Sequence, residues 1–164
     1  MEENSKFDNK SLKKVTGRTA DFEELSKDCV AFANSHGGYL AIGIEDGEDK
    51  PASDQKIPDD LPEKIIKRIN ELTINVALRP EVLIADNGGQ YLKLQVLPSQ
   101  VSIASTTKGV YYIRDHDSSR PLLPDELSRL ISDKPAYSWE TKVSLKIQWQ
   151  KADLTKSRTG AFGA

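Results

Sequence analysis

Ala31-Phe32-Ala33-Asn34-Ser35-His36-Gly37-Gly38-Tyr39-Leu40-Ala41-Ile42-Gly43-Ile44-Glu45-Asp46 joins a helix, a glycine turn and an apolar strand in one unbroken run. It opens as the end of an amphipathic helix. Working back, Phe22, Leu25, Cys29, Phe32 and Ala33 recur at helical spacing, which predicts a helix from about Asp21 to Ser35. Asp21 followed by Glu24 has the form of a capping box, and Gly37-Gly38 supplies the stop. Tyr39 to Ile44 is then almost continuously apolar, the pattern of a central strand covered on both faces. Two carboxylates, Glu45 and Asp46, follow directly.

Outward from this block the chain alternates in character. Residues 45–58 read as an acidic loop with Gly47, Pro51 and Pro58. A second helix is predicted over 61–73, capped by Asp60 and buried through Leu61, Ile65, Ile69 and Leu72. Residues 81–86 and 90–97 flank Asn87-Gly88-Gly89 as a hairpin. After a polar loop at 98–108, a strand over 109–114 carries Tyr111-Tyr112, and 115–123 reads as a second polar loop. Pro124 opens a short helix with Leu127, Leu130 and Ile131 inward. Before the first helix, Phe7, Leu12 and Val15 anchor a short strand or an irregular arm. Past Lys134-Pro135, Trp139, Val143, Leu145, Ile147 and Trp149 share one parity, a strand pattern, and 155–164 reads as a flexible end. The expected class is α+β, a mixed sheet with about three helices packed on it. The expected organisation is a domain over 1–134 and a C-terminal extension over 135–164 with one added strand and a tail. Nothing closes the fold at that end, so the chain reads as one domain of a longer protein.

The 164 residues suffice for one domain with a real core. With 37% hydrophobic and 29% charged residues the chain reads as soluble and globular. Its apolar runs fall far short of the ~20 residues of a membrane span, and Met1-Glu2-Glu3-Asn4 is no secretory signal. A single cysteine, Cys29, excludes an intramolecular disulfide, and the default setting is cytoplasmic. The net charge of −2 argues against a uniformly basic nucleic-acid binder. The charge is uneven, however. Lys6, Lys10, Lys13, Lys14 and Arg18 crowd the first twenty residues, acids crowd 45–60, and 142–158 is basic again. A local basic face on an acidic domain suffices for phosphate contacts; the plainer reading of each lysine is solvated surface charge.

Arg114, Ser118, Ser119 and Arg120 are the best binding candidates. A guanidinium offers two donors to phosphate oxygens, and serine hydroxyls add neutral donors at short reach. The competing reading pairs either arginine with Asp115 or Asp117. Lys10, Lys13 and Lys14 would complete the face. Asn34 and His36, beside the glycine turn, suit either a phosphate contact or ordinary helix termination, with termination the simpler reading. One of Tyr111 and Tyr112 is expected in the core and the other at the surface. Gly38 to Gly43 has the glycine spacing of a phosphate loop, but Ile44-Glu45 stands where lysine and serine or threonine are needed, which disfavours ATP binding. Two histidines and one core cysteine make a poor zinc set. No cofactor is expected.

Three blocks carry a family resemblance. Residues 31–47 match an AFANxxGGxLxxGVxDxG pattern almost throughout. Tyr112-Ile113-Arg114 with Ser118-Ser119-Arg120, ahead of the Pro124 helix, is similar to YxRxGxSxxxA. Lys6-Phe7-Asp8 with Lys10-Ser11-Leu12 stands where EFKxSL is usual. On these residues, about 5–132, the chain resembles the Schlafen-type Alba-like DNA-binding domain. The resemblance implies a nucleic-acid-binding module, DNA more than RNA, in a bacterial-type transcriptional regulator or helicase-related protein with further domains. Some relatives are metal-dependent nucleases; the carboxylate after the glycine-rich strand would fall at Glu45 or Asp46, but Lys6 occupies the EFK glutamate position. Glu2 or Glu3 could substitute only if the N-terminus folds back. A third reading, an interaction module that self-associates as a homo-oligomer, stays open.

Overall fold

The computed structural model describes residues 5–135. Phe7–Lys10 forms β1, and after two short 3-10 turns Phe22–Asn34 forms α1. Gly38–Ile42 is β2, Leu61–Leu72 is α2 and Thr73–Ile74 is β3. Leu78–Ile84 (β4) and Gln90–Val96 (β5) are a hairpin. Ser105–Thr106 (β6), Tyr112–Asp115 (β7), Ser118–Pro121 (β8) and the helix Pro124–Ser132 (α3) complete the order. The main sheet runs β1-β2-β5-β4, with β1 parallel to β2 and the other neighbours antiparallel. Two small sheets pair β3 with β6 and β7 with β8. Among the described residues this is an α+β fold with a mixed sheet and three α-helices, as the sequence indicates.

Alternation on the sheet separates two apolar layers. Leu40, Ile42, Leu92, Leu94 and Val96 face Leu25, Cys29, Phe32, Ile65 and Ile69 of the helices. Each large side chain buried there contributes about 1.5–3 kcal/mol. On the other face Phe7, Ala41 and Ile44 are buried with Tyr39 and Tyr91 against them. The Phe7 and Tyr39 ring centroids lie 4.8 Å apart, and the Lys93 amine sits 4.8 Å over Tyr39. The glycine turn is forced by close approach. Gly37, at φ +72°, donates to Phe32 O (2.9 Å) as the αL cap, and a Cβ on Gly38 would lie 2.5 Å from the Phe32 ring and 2.6 Å from Lys6 O.

Several local expectations shift. Asp21 caps α1 through Glu24 N–H at 3.0 Å, but Asp60 sits at the head of α2 in helical conformation and makes no side-chain cap bond. β4 starts at Leu78, three residues before the expected strand, and tolerates Pro80 because it is an edge strand. The expected loop 115–123 is largely the hairpin β7–β8. Its two-residue turn, His116-Asp117, places His116 at φ 57°, a conformation usually signalled by glycine or asparagine. The apolar side chains of α3 are only half-buried. Among the described residues no helix is long and apolar enough to cross a membrane. The strand pattern at 138–150, the tail at 155–164, and Glu2 and Glu3 lie outside the described residues.

Candidate functional site

The edge strand β1 breaks the apolar rule of the helix-facing layer. Asp8 and Lys10 stand opposite Leu40 and Ile42, so both point toward the helices. Opposite them α1 presents Asp28, β7 presents Arg114 and β8 presents Ser119. Asp8 and Asp28 are each 3% exposed, and the Arg114 side chain is 1% exposed. Lys10 Nζ lies 3.2 Å from Asp8 and 3.0 Å from Asp28. One Arg114 terminal nitrogen donates to Asp8 Oδ2 and to Ser119 Oγ, both at 3.2 Å, and Ser119 Oγ donates to Asp28 Oδ1 at 2.7 Å. The guanidinium also stacks 4.6 Å over Phe32, and the Arg114 N–H donates to Ser35 Oγ. Burial alone would lower the Lys10 pKa; the Asp28 and Asp8 carboxylates outweigh it and the net shift is upward.

This network floors a cleft of about 380 Å³. Its mouth is formed by the turn after β1 (Ser11, Lys14), by Glu45 and Asp46 after β2, by Glu24 of α1 and by Asp117 and Ser118 of the hairpin. Ser11 Oγ donates to Glu45 Oε1 at 2.7 Å, pinning the two loops together. The lining includes the carboxylates Asp8, Glu24, Asp28, Glu45, Asp46 and Asp117 against the cations Lys10, Lys14 and Arg114. With Asp8 and Asp28 held by Lys10 and Arg114, the negative charge left over sits on the outer wall. Among the described residues no group of three or more His, Cys, Asp or Glu side chains is placed to hold a metal ion, so Glu45 and Asp46 lack a donor set around them.

Of the eight sequence-derived candidates, Lys10, Lys14, Arg114, Ser118 and Ser119 meet in this cleft. Lys13 is exposed on the same turn as Lys14. Asn34 is elsewhere in role: its amide donates to Ala104 O (2.8 Å) and Tyr112 O (3.0 Å) and accepts from Ala104 N–H (2.8 Å), tying α1 to two distant segments. Arg120 is engaged by Asp115 (2.9 Å) and, through both terminal nitrogens, by Glu126 at 2.8 Å. Those bonds from Arg120, helped by the Leu123 N–H, pull the Glu126 carboxyl down to about 2. The clasp joins the hairpin to α3.

Tyr111 and Tyr112 are both half-buried, and Tyr112 lines a smaller recess of about 190 Å³ between α1 and the β6–β7 turn. Cys29 is fully buried, and burial followed by the nearby Asp28 charge pushes its thiol well above the ordinary range. Sequence reading missed Asp8, Asp28 and Glu126. A signal existed for Asp28: it lies three residues after Leu25 and four before Phe32, on the buried stripe of α1.

No curated protein matches the chain. Among solved structures it is similar to the DIP2311 protein of Corynebacterium diphtheriae, with 21% identity and a TM-score of 0.48, over 72% of this chain and 25% of that one. The chain therefore corresponds to about a quarter of that protein's length. The family model described as Schlafen, AlbA_2 matches residues 3–123. Family membership by itself reaches no further than a nucleic-acid-related role. With most of its length matched, the chain belongs to the Schlafen AlbA_2 family.

Proposed function

We propose that this domain binds nucleic acid, with a sugar-phosphate backbone lying across the cleft mouth between the turn after β1 and the β7–β8 hairpin. The observation that carries the reading is that Lys10 and Lys14, near the start of the sequence, line the same cleft as Ser118 of the distant β7–β8 hairpin. Lys13, Lys14 and the Ser118 hydroxyl make the outer phosphate contacts. Arg114, Ser119 and Arg120 shape the hairpin that presents them. The carboxylates of the outer wall repel phosphate, so the backbone is confined to the lysine side and affinity stays modest. Contacts of this kind position without reading sequence. DNA is the first ligand to try, with the module as the targeting part of a transcriptional regulator or helicase-related protein.

Fluorescence anisotropy of labelled duplex DNA, single-stranded DNA and RNA across a salt series tests this. Each duplex phosphate that the protein neutralises adds about 0.9 to the steepness of log affinity against log salt. Lys13→Ala/Lys14→Ala is expected to flatten the duplex slope by about 2. Absence of binding to every probe at low salt would overturn the proposal.

A nuclease reading finds its carboxylates in the right cleft, with Asp8 two residues past Lys6. The donor set does not fit a divalent ion, because Lys10 and Arg114 already hold Asp8 and Asp28.

A further inference from the structure

Among the described residues the main sheet ends in two edge strands, β1 and β4. An unsatisfied edge with an apolar face is a template for another strand. On β4 the residues Leu78, Pro80 and Val82 stand opposite Val96, Leu94 and Leu92, so this parity, continued by Ile84, belongs to the helix-facing layer. Cover fades along it. Leu78 packs on the core, whereas Val82 is 42% and Ile84 70% exposed. Toward Ile84 the helix-facing side of β4 is therefore largely open among the described residues.

The chain carries a segment of matching pattern. From 139 to 149 the odd positions read Trp, Thr, Val, Leu, Ile, Trp, and the even positions Glu, Lys, Ser, Lys, Gln. Such an alternation buries one face only when it joins a sheet. Of the two edges, β1 turns Asp8 and Lys10 toward the helix layer and would set charge against that apolar stripe. β4 offers Val82 and Ile84 instead. The tether also fits. The Lys134 amine donates to Ser99 O, three residues beyond Val96, which pairs with Leu78 at the start of β4. Five residues from Lys134 to Trp139 reach up to roughly 17 Å. A segment held that close competes at high effective concentration against any separate partner.

We propose that β4 is the docking edge for the chain's own segment 139–149, its odd-numbered side chains covering Val82 and Ile84. This is independent of the nucleic-acid reading and concerns the opposite edge of the sheet.

The chain's two tryptophans, Trp139 and Trp149, both lie in that segment, so tryptophan emission reports on it alone. The full chain is studied by emission wavelength and acrylamide quenching at several protein concentrations, beside Val82→Lys/Ile84→Lys. Far-UV circular dichroism checks the fold of the variant. Blue-shifted emission with quenching several-fold weaker than in the variant, unchanged by concentration, is the expected result. Should the double lysine variant unfold, Ile84→Thr keeps a β-branched strand residue and must still increase quenching. Three results would overturn the proposal: tryptophans as accessible as free indole in the parent, protection that survives both variants, or protection that grows with concentration and so belongs to a second copy.

Discussion

At one edge of the sheet, β1 turns Asp8 and Lys10 toward the helix layer; at the other, β4 turns Val82 and Ile84 the same way. Both strands are edges of one sheet. On the first edge the space is filled by charge, closed by Asp28, Arg114 and Ser119 from three other elements. On the second it is hydrocarbon, and cover runs out toward Ile84. Hydrocarbon can be covered by any apolar surface of suitable shape. A buried charge network must have every member in place, because a missing partner leaves an uncompensated charge in the interior. The difference separates an edge closed by charge from one that, among the described residues, stays open toward Ile84.

The charged edge depends most on Arg114. Arg114→Ala is expected to cost about 3–5 kcal/mol, read as a drop in urea midpoint at unchanged slope, because Asp8 loses its deepest counter-charge. Arg114→Lys keeps charge but not the stacked plane over Phe32 and should recover only part of it. Asn34→Ala comes next at about 1–3 kcal/mol, since the Ala104 N–H and O lose their partner in the interior. At the apolar edge, Val82→Thr and Ile84→Thr should each cost less than either. The Arg120–Glu126 clasp gives a pH signature. The Glu126 carboxyl is held at about 2, below its ordinary 4.5, so the clasp contributes fully above pH 4.5 and is lost as pH falls toward 2. Amide exchange in α3 should rise over that window, and Arg120→Ala should bring the Glu126 titration back toward its ordinary value. The smallest stability effect is expected at the exposed pair: Lys13→Ala/Lys14→Ala should shift stability by no more than about 0.5 kcal/mol while weakening nucleic-acid binding.

The sequence discloses α1 and α2 because their apolar stripes repeat over three turns, and it discloses the β4–β5 hairpin because Asn87-Gly88-Gly89 marks the turn. It hides the β7–β8 hairpin because His116 takes the left-handed turn position without a glycine to announce it. It hides the floor of the cleft for another reason. Residue type places Asp8, Asp28 and Arg114 at the surface, and only the spatial convergence of β1, α1 and β7 lets them be buried together. Arg114 and Arg120 read alike in sequence, yet one is sealed beneath the cleft and the other clasps α3. Asn34 likewise reads as a turn residue, while its amide bonds segments about seventy positions away.

Duplex DNA binding by the full chain at low and moderate salt, with Lys13→Ala/Lys14→Ala and Val82→Thr/Ile84→Thr in parallel, tests whether nucleic acid lies on the lysine side of the cleft. Salt-sensitive binding that the lysine variant loses and the β4 variant keeps is the expected result. Binding that is indifferent to salt, or that falls with the β4 variant and survives the loss of both lysines, would contradict it.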